Sequence, residues 1–149
     1  MKAIITFSLA AAIALAGCGK TPPAPPPPVT AGQTAEAGDI AHWLAEISAG
    51  AELSKDDARV ASAAGLLASA AAAYGEPEEA LAAAGNRVSR LLRDMNVQAS
   101  PLEVIEAATG NAKQGATFQD IAGHYVSLRK QGRTHDKARD LMQAPPGAG

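Results

Sequence analysis

Residues 100–103, Ser100-Pro101-Leu102-Glu103, open a helix by three signals at once. The serine is an N-cap whose hydroxyl accepts an amide of the first turn. The proline has φ already set for the first helical position and has no amide to lose. The glutamate three residues after the cap reaches back to complete a capping box. The helix is short and ends before Gly110. Outward from this point, start and stop signals of the same kind recur on both sides, with no convincing strand alternation.

On the N-terminal side, Pro77 is well placed for the first turn of a helix running to about Met95, with Glu76, Glu78 and Glu79 complementing its dipole. Before it, Ser54 with Asp57 three residues on opens a helix that runs to Tyr74 and stops at Gly75. Asp39 caps a first helix with Ile40, Trp43, Leu44 and Ile47 at helical spacing, ending at Gly50. On the C-terminal side, Thr117 with Asp120 starts a helix to about Gln131, Gly132 ends it, and Thr134 caps a brief last helix to about Met142. Residues 39–143 are therefore expected to form one all-α domain, a single small bundle of five or six helices. That length is enough for one compact core.

The faces of these helices differ. In 77–95, Leu81, Ala84, Val88, Leu91, Leu92 and Met95 share a side expected to face the core, while Arg87, Arg90 and Arg93 spread over the flank and opposite side. The arginines are either a solvated face or a docking surface for an acidic partner or a phosphate-bearing lipid. The preceding helix is apolar nearly all round. Val60, Ala64, Leu67, Ala71 and Tyr74 make one face, and the small residues Ala58, Ser62, Gly65, Ser69 and Ala72 make the other. An all-round apolar helix is usually buried, so this one is expected at the centre, with Gly65 a point of close approach. The alternative is an exposed small-residue face that binds another helix. In the fifth helix, Phe118, Ile121, Ala122, Tyr125, Leu128 and the stem of Arg129 form a core stripe, with the Tyr125 hydroxyl expected to reach the surface.

Ahead of the domain the chain changes character. Lys2 precedes an apolar stretch, Ala3–Ala16, broken only by Thr6 and Ser8, and small residues lead into Cys18, the only cysteine. The stretch is shorter than the roughly 20 apolar residues that span a bilayer and reads as an export signal. The segment Leu15-Ala16-Gly17-Cys18 resembles the lipobox of bacterial lipoprotein precursors. That resemblance implies cleavage after residue 17, a diacylated Cys18 thiol and often an acylated amine. With Gly19 rather than Asp next, it also implies the outer membrane rather than the inner. Burying acyl chains contributes about 0.8 kcal/mol per methylene, so two or three chains anchor stably. No cysteine is left for a disulfide, and stability must come from packing.

Residues 18–38, with the run Pro25–Pro28, read as a lipidated cysteine followed by a semi-rigid proline-rich spacer. Fully extended, it reaches roughly 60 Å from the membrane. The alternative is a proline segment docked in a partner's aromatic groove. Residues 144–149 read as a disordered tail.

Signals for chemistry are sparse. His42, His124 and His135 are the only histidines, and Asp120 with His124 at i, i+4 is two ligands where a metal site needs three or more, so His135 and Asp136 would have to fold back. Glu103 and Glu106 share a helix face, but capping already accounts for Glu103. No nucleophile-elbow, P-loop or dinucleotide-binding pattern occurs. The formal net charge of −2 gives no argument for nucleic acid, and an exported protein has no access to chromosomal DNA, which disposes of a helix-turn-helix reading of 118–142. The expectation is a non-enzymatic, lipid-anchored envelope module without metal or cofactor that binds another envelope protein, with Arg87, Arg90 and Arg93 as contact residues. The alternatives are an accessory or regulatory subunit of envelope, conjugation or secretion machinery, and, third, a metal binder or enzyme built on His124 and Asp120.

Overall fold

Six helices and no strand occur among residues 37–143, the part of the chain that the computed structural model describes. They are α1 (Ala37–Ala49), α2 (Ala58–Tyr74), α3 (Glu78–Asp94), α4 (Pro101–Thr109), α5 (Phe118–Lys130) and α6 (His135–Gln143). The signal segment, Cys18, the proline run and the tail lie outside the described residues.

Local signals account for most boundaries. Ser100 Oγ accepts from the Glu103 amide at 3.2 Å and Glu103 accepts from the Ser100 amide at 2.6 Å, closing the capping box on α4. Thr117 and Asp120 build the same device on α5, and the hydrogen bond from the Thr117 hydroxyl holds the Asp120 carboxyl below its ordinary range. Helix α2 departs from expectation: its cap is Asp57, not Ser54, and Asp57 accepts from the Arg59 amide at 2.9 Å. The Arg59 guanidinium also grips this carboxylate, and together these bonds lower the Asp57 pKa to about 2. Helix α1 begins at Ala37, so Asp39 lies inside its first turn and pairs with Lys55 instead of capping. Pro77 is the N-cap of α3 rather than its first residue. At the other end of α3, Asn96 takes positive φ and lets the Val97 amide bond Leu92 O at 2.9 Å.

The centre of the bundle is α4, not α2. This nine-residue helix packs against all five others. Pro101, Val104, Ile105, Ala107 and Ala108 are buried, which leaves few positions for polar groups, and both of its glutamates are engaged. Helix α2 lies on the outside. Val60, Ala63, Leu67 and Ala70 face inward, while Ala58, Ser62, Gly65, Ser69 and Ala72 are exposed. Alanine and serine side chains are small enough to leave in water at little cost, so low polarity did not force burial. The Ser62 and Ser69 hydroxyls donate to Ala58 O and Gly65 O within their own helix.

Close backbone approach occurs at a different glycine from the one expected. A Cβ on Gly65 would meet nothing within 4 Å, whereas one on Gly85 would sit 2.7 Å from Ile105 Cγ1 and 3.2 Å from Pro101 O. Gly85 is thus where α3 rests on α4. Centring the helix there also turns Leu91 outward, so it is exposed rather than in the core, and turns Ser89 inward, where its hydroxyl donates to Ala99 O at 2.6 Å.

Candidate partner-binding face

Arg87, Arg90 and Arg93 lie in the C-terminal half of α3, and all three are exposed. None forms an ion pair with a described residue. At about 100° per residue they span roughly a third of the helix circumference. Arg87 and Arg90 lie on the outward side beside Leu91, which is 49% exposed and is the one exposed large hydrophobic among the described residues. Arg93 lies on the opposite edge and lines a shallow groove of about 290 Å³ with Ile47, Ser48, Gln98, Ser100 and Glu103. The three side chains are therefore on one side of the molecule without converging on a point.

The groove borders the N-terminus of α4, but that end has no free amides to offer an anion. Pro101 lacks an amide, the Ser100 and Glu103 amides are tied up in the capping box, and the Leu102 amide donates to Ser48 Oγ at 3.3 Å. The cationic group that the groove presents to an anion is therefore the Arg93 side chain, and no free amide adds to it.

Asp120 and His124 remain an exposed pair on α5, with Asp120 committed to capping. His135 does not fold back toward them. Its Nδ1 meets the Tyr125 hydroxyl at 2.9 Å, and its Nε2 lies 3.6 Å from Glu106 Oε2. No group of three or more His, Cys, Asp or Glu side chains with metal-site geometry occurs among the described residues. No described helix is long and apolar enough to cross a membrane.

What the sequence reading missed is a buried polar chain joining α4, α5 and α6. Arg129, only 9% exposed, donates from Nη1 to the Tyr125 hydroxyl at 2.8 Å and from Nη2 to Gln98 O. The Tyr125 hydroxyl is thus inside the protein, not at the surface. The same hydroxyl is hydrogen-bonded to His135 Nδ1, and the other ring nitrogen, Nε2, faces Glu106. Glu106 in turn accepts from Arg139 Nη1 of α6 at 2.7 Å. Burial pushes the Tyr125 pKa up, with Glu103 and Glu106 adding to the rise and Arg129 opposing it. The chain fastens the last two helices to the central one. One signal for it was present in the sequence: an arginine on the apolar stripe of α5, one turn after a tyrosine. Nothing local marked its partners, since Gln98 O and His135 arrive from other segments.

His42 has a comparable role at the other end of the bundle, with Nε2 2.8 Å from Leu53 O while Glu46 accepts from the Leu53 amide. The pair holds the α1–α2 connection in place. Compared with protein-family models, curated proteins and solved structures, the chain matches none.

Proposed function

We propose that this chain is a lipid-anchored, non-enzymatic helical module of the bacterial envelope, held at the outer membrane through acylated Cys18, and that it binds another envelope protein through the arginine side of α3. The anchor follows from the lipobox-like Leu15-Ala16-Gly17-Cys18. One observation carries the binding surface: Arg87, Arg90 and Arg93 are exposed and form no ion pair among the described residues, and Arg87 and Arg90 flank exposed Leu91. Arginine is suited to such a surface because its planar fork pairs bidentately with carboxylates and is weakly hydrated, so it is less costly to bury at an interface than lysine. His42 and His135 hold loops and helices in place, and His124 stands alone on the surface.

Two experiments test the two halves. Fatty-acid labelling of cells expressing the full chain should mark the wild type and not Cys18→Ser; label on the variant would sink the anchor. Crosslinking in intact cells should give adducts that disappear with Arg87→Glu plus Arg90→Glu. An unchanged adduct pattern would remove α3 from the interface.

A further inference from the structure

The groove beside the start of α4 carries opposite charges that do not meet. Arg93 and Glu103 are the charged residues of its lining, and neither forms an ion pair with the other or with any described residue. Asp94, next in the chain and exposed, does not line the groove and is not paired with Arg93. Glu103 closes the capping box through Oε2, and its Oε1 takes no hydrogen bond from a described residue. Two hydroxyls also line the groove. Ser48 Oγ accepts from the Leu102 amide and Ser100 Oγ from the Glu103 amide, while neither hydroxyl donates to a described residue, so both protons remain to be given. Ile47 and Pro101 supply apolar lining. Behind Gln98, another lining residue, stands buried Arg129. Its Nη2 donates to Gln98 O, its Nη1 to the Tyr125 hydroxyl, and neither Glu103 nor Glu106 is ion-paired with it.

We infer that this groove binds the head of an α-amino acid, a carboxylate and an ammonium on one carbon, either free or at the end of a larger molecule. The carboxylate goes to the Arg93 fork and the Ser48 and Ser100 hydroxyls, and the ammonium goes to Glu103 Oε1. Ligands with one charge fit badly. A plain anion at Arg93 shares the groove with the Glu103 carboxylate, and a plain amine at Glu103 meets Arg93 with Arg129 behind it. A zwitterion satisfies both sides and brings no net charge. Arginine suits the acidic end because its planar fork pairs bidentately with a carboxylate. A shallow groove of about 290 Å³ is at the small end of ligand sites, so the expected affinity is millimolar. The site goes beyond the reading of α3 as a partner-binding side, since a small ligand here uses Arg93 and neither Arg87 nor Arg90.

The test is a titration of the full chain, purified in mild detergent, followed by amide chemical shifts in NMR. Alanine should move the Ser48, Gln98 and Glu103 amides saturably in the millimolar range. N-acetylalanine lacks the ammonium and alanine amide lacks the carboxylate, and each should bind roughly fivefold or more weakly than alanine. Arg93→Ala and Glu103→Gln should each weaken alanine by a similar factor. Glutamine at position 103 removes the charge and keeps the acceptor of the capping box, so the helix start is preserved. Alanine that gives no saturable shift at tens of millimolar overturns the inference. N-acetylalanine binding as tightly as alanine also overturns it, because the groove is then a plain anion site. Tighter binding of phosphoethanolamine than of alanine overturns the amino-acid assignment in favour of a phosphate. The crosslinking of Arg87→Glu plus Arg90→Glu reads the partner surface separately. Adducts lost there without alanine binding here fail the groove alone, and alanine binding with unchanged adducts fails the partner surface alone.

Discussion

Helices α2 and α3 are both seventeen residues long and lie against the same central helix, yet they obey different rules. Helix α3 declares its orientation, with charges outward and a strip from Leu81 through Gly85 to Leu92 inward. Helix α2 has only Arg59 as a charged residue and is nevertheless half in water. What seats α2 is volume rather than polarity. Its larger side chains Val60, Leu67 and Tyr74 recur along one side, and a helix buries the side where it has the most apolar area to gain. An alanine-rich sequence therefore says that a helix will form and much less about which way it faces.

The largest expected effect tests that statement at its centre. Leu67 is fully buried on α2, and Leu67→Ala should lower stability by about 2–5 kcal/mol in urea unfolding monitored by circular dichroism. Leu91→Ala on α3 should change it by no more than about 0.5 kcal/mol. Equal losses at the two leucines would erase the distinction drawn between the helices.

The two mid-helix glycines give a sharper contrast, because their effects should differ in sign. At Gly85 a methyl group would press on Ile105 and on Pro101 O, and the carbonyl belongs to the backbone of the central helix, which is held by its capping box. Overpacking costs about 1–3 kcal/mol, against about 1 kcal/mol regained in helix propensity, so Gly85→Ala should destabilise on balance. Gly65 has open space around it, and Gly65→Ala should stabilise by about 0.5–1 kcal/mol. A gain at both sites would mean that α3 and α4 are not in close contact at Gly85.

Alkaline titration tests how the end of α2 is fastened. The Tyr74 hydroxyl donates to Ala108 O at 2.6 Å, and its ring meets Phe118 edge-on at 5.6 Å. Burial, helped by Glu76, pushes its pKa up from 10.0 to about 12. A raised pKa means the folded chain favours the neutral phenol. The resulting stability is complete below about pH 10 and is lost as pH rises through about 12. The urea midpoint should fall across that window, and Tyr74→Phe should reduce the fall after giving up about 1 kcal/mol at neutral pH for the lost hydrogen bond. Buried Tyr125, shifted in the same direction, accounts for the part that remains. A midpoint that stays flat through the alkaline range would show that neither phenol is enclosed.

The residues that were legible in advance share one property: their partners are close in sequence. Ser100 with Glu103 and Thr117 with Asp120 close their hydrogen bonds within one turn, so the caps, and with them α4 and α5, could be placed from the sequence. The exposure of Arg87, Arg90 and Arg93 followed from periodicity on a helix with strong polar contrast. Ser89, Arg129 and His135 were not legible in this way. Their partners are Ala99 O, Gln98 O and Glu106, on other segments, and a polar side chain can be buried only where such a partner waits for it.

The sequence by itself determined that this is a chain of helices, where most of them start and stop, and which side of α3 meets water. These are decisions made by backbone amides, caps and the contrast between charged and apolar side chains within a turn or two. Only the tertiary structure decided that short α4 is the hub, that Gly85 rather than Gly65 is the point of close approach, and that the outer face of α2 stays exposed. Each of those depends on how volumes from distant segments fit together. Alanine and glycine, which make up so much of α2 and the first half of α3, supply too little difference in area to settle that fit locally.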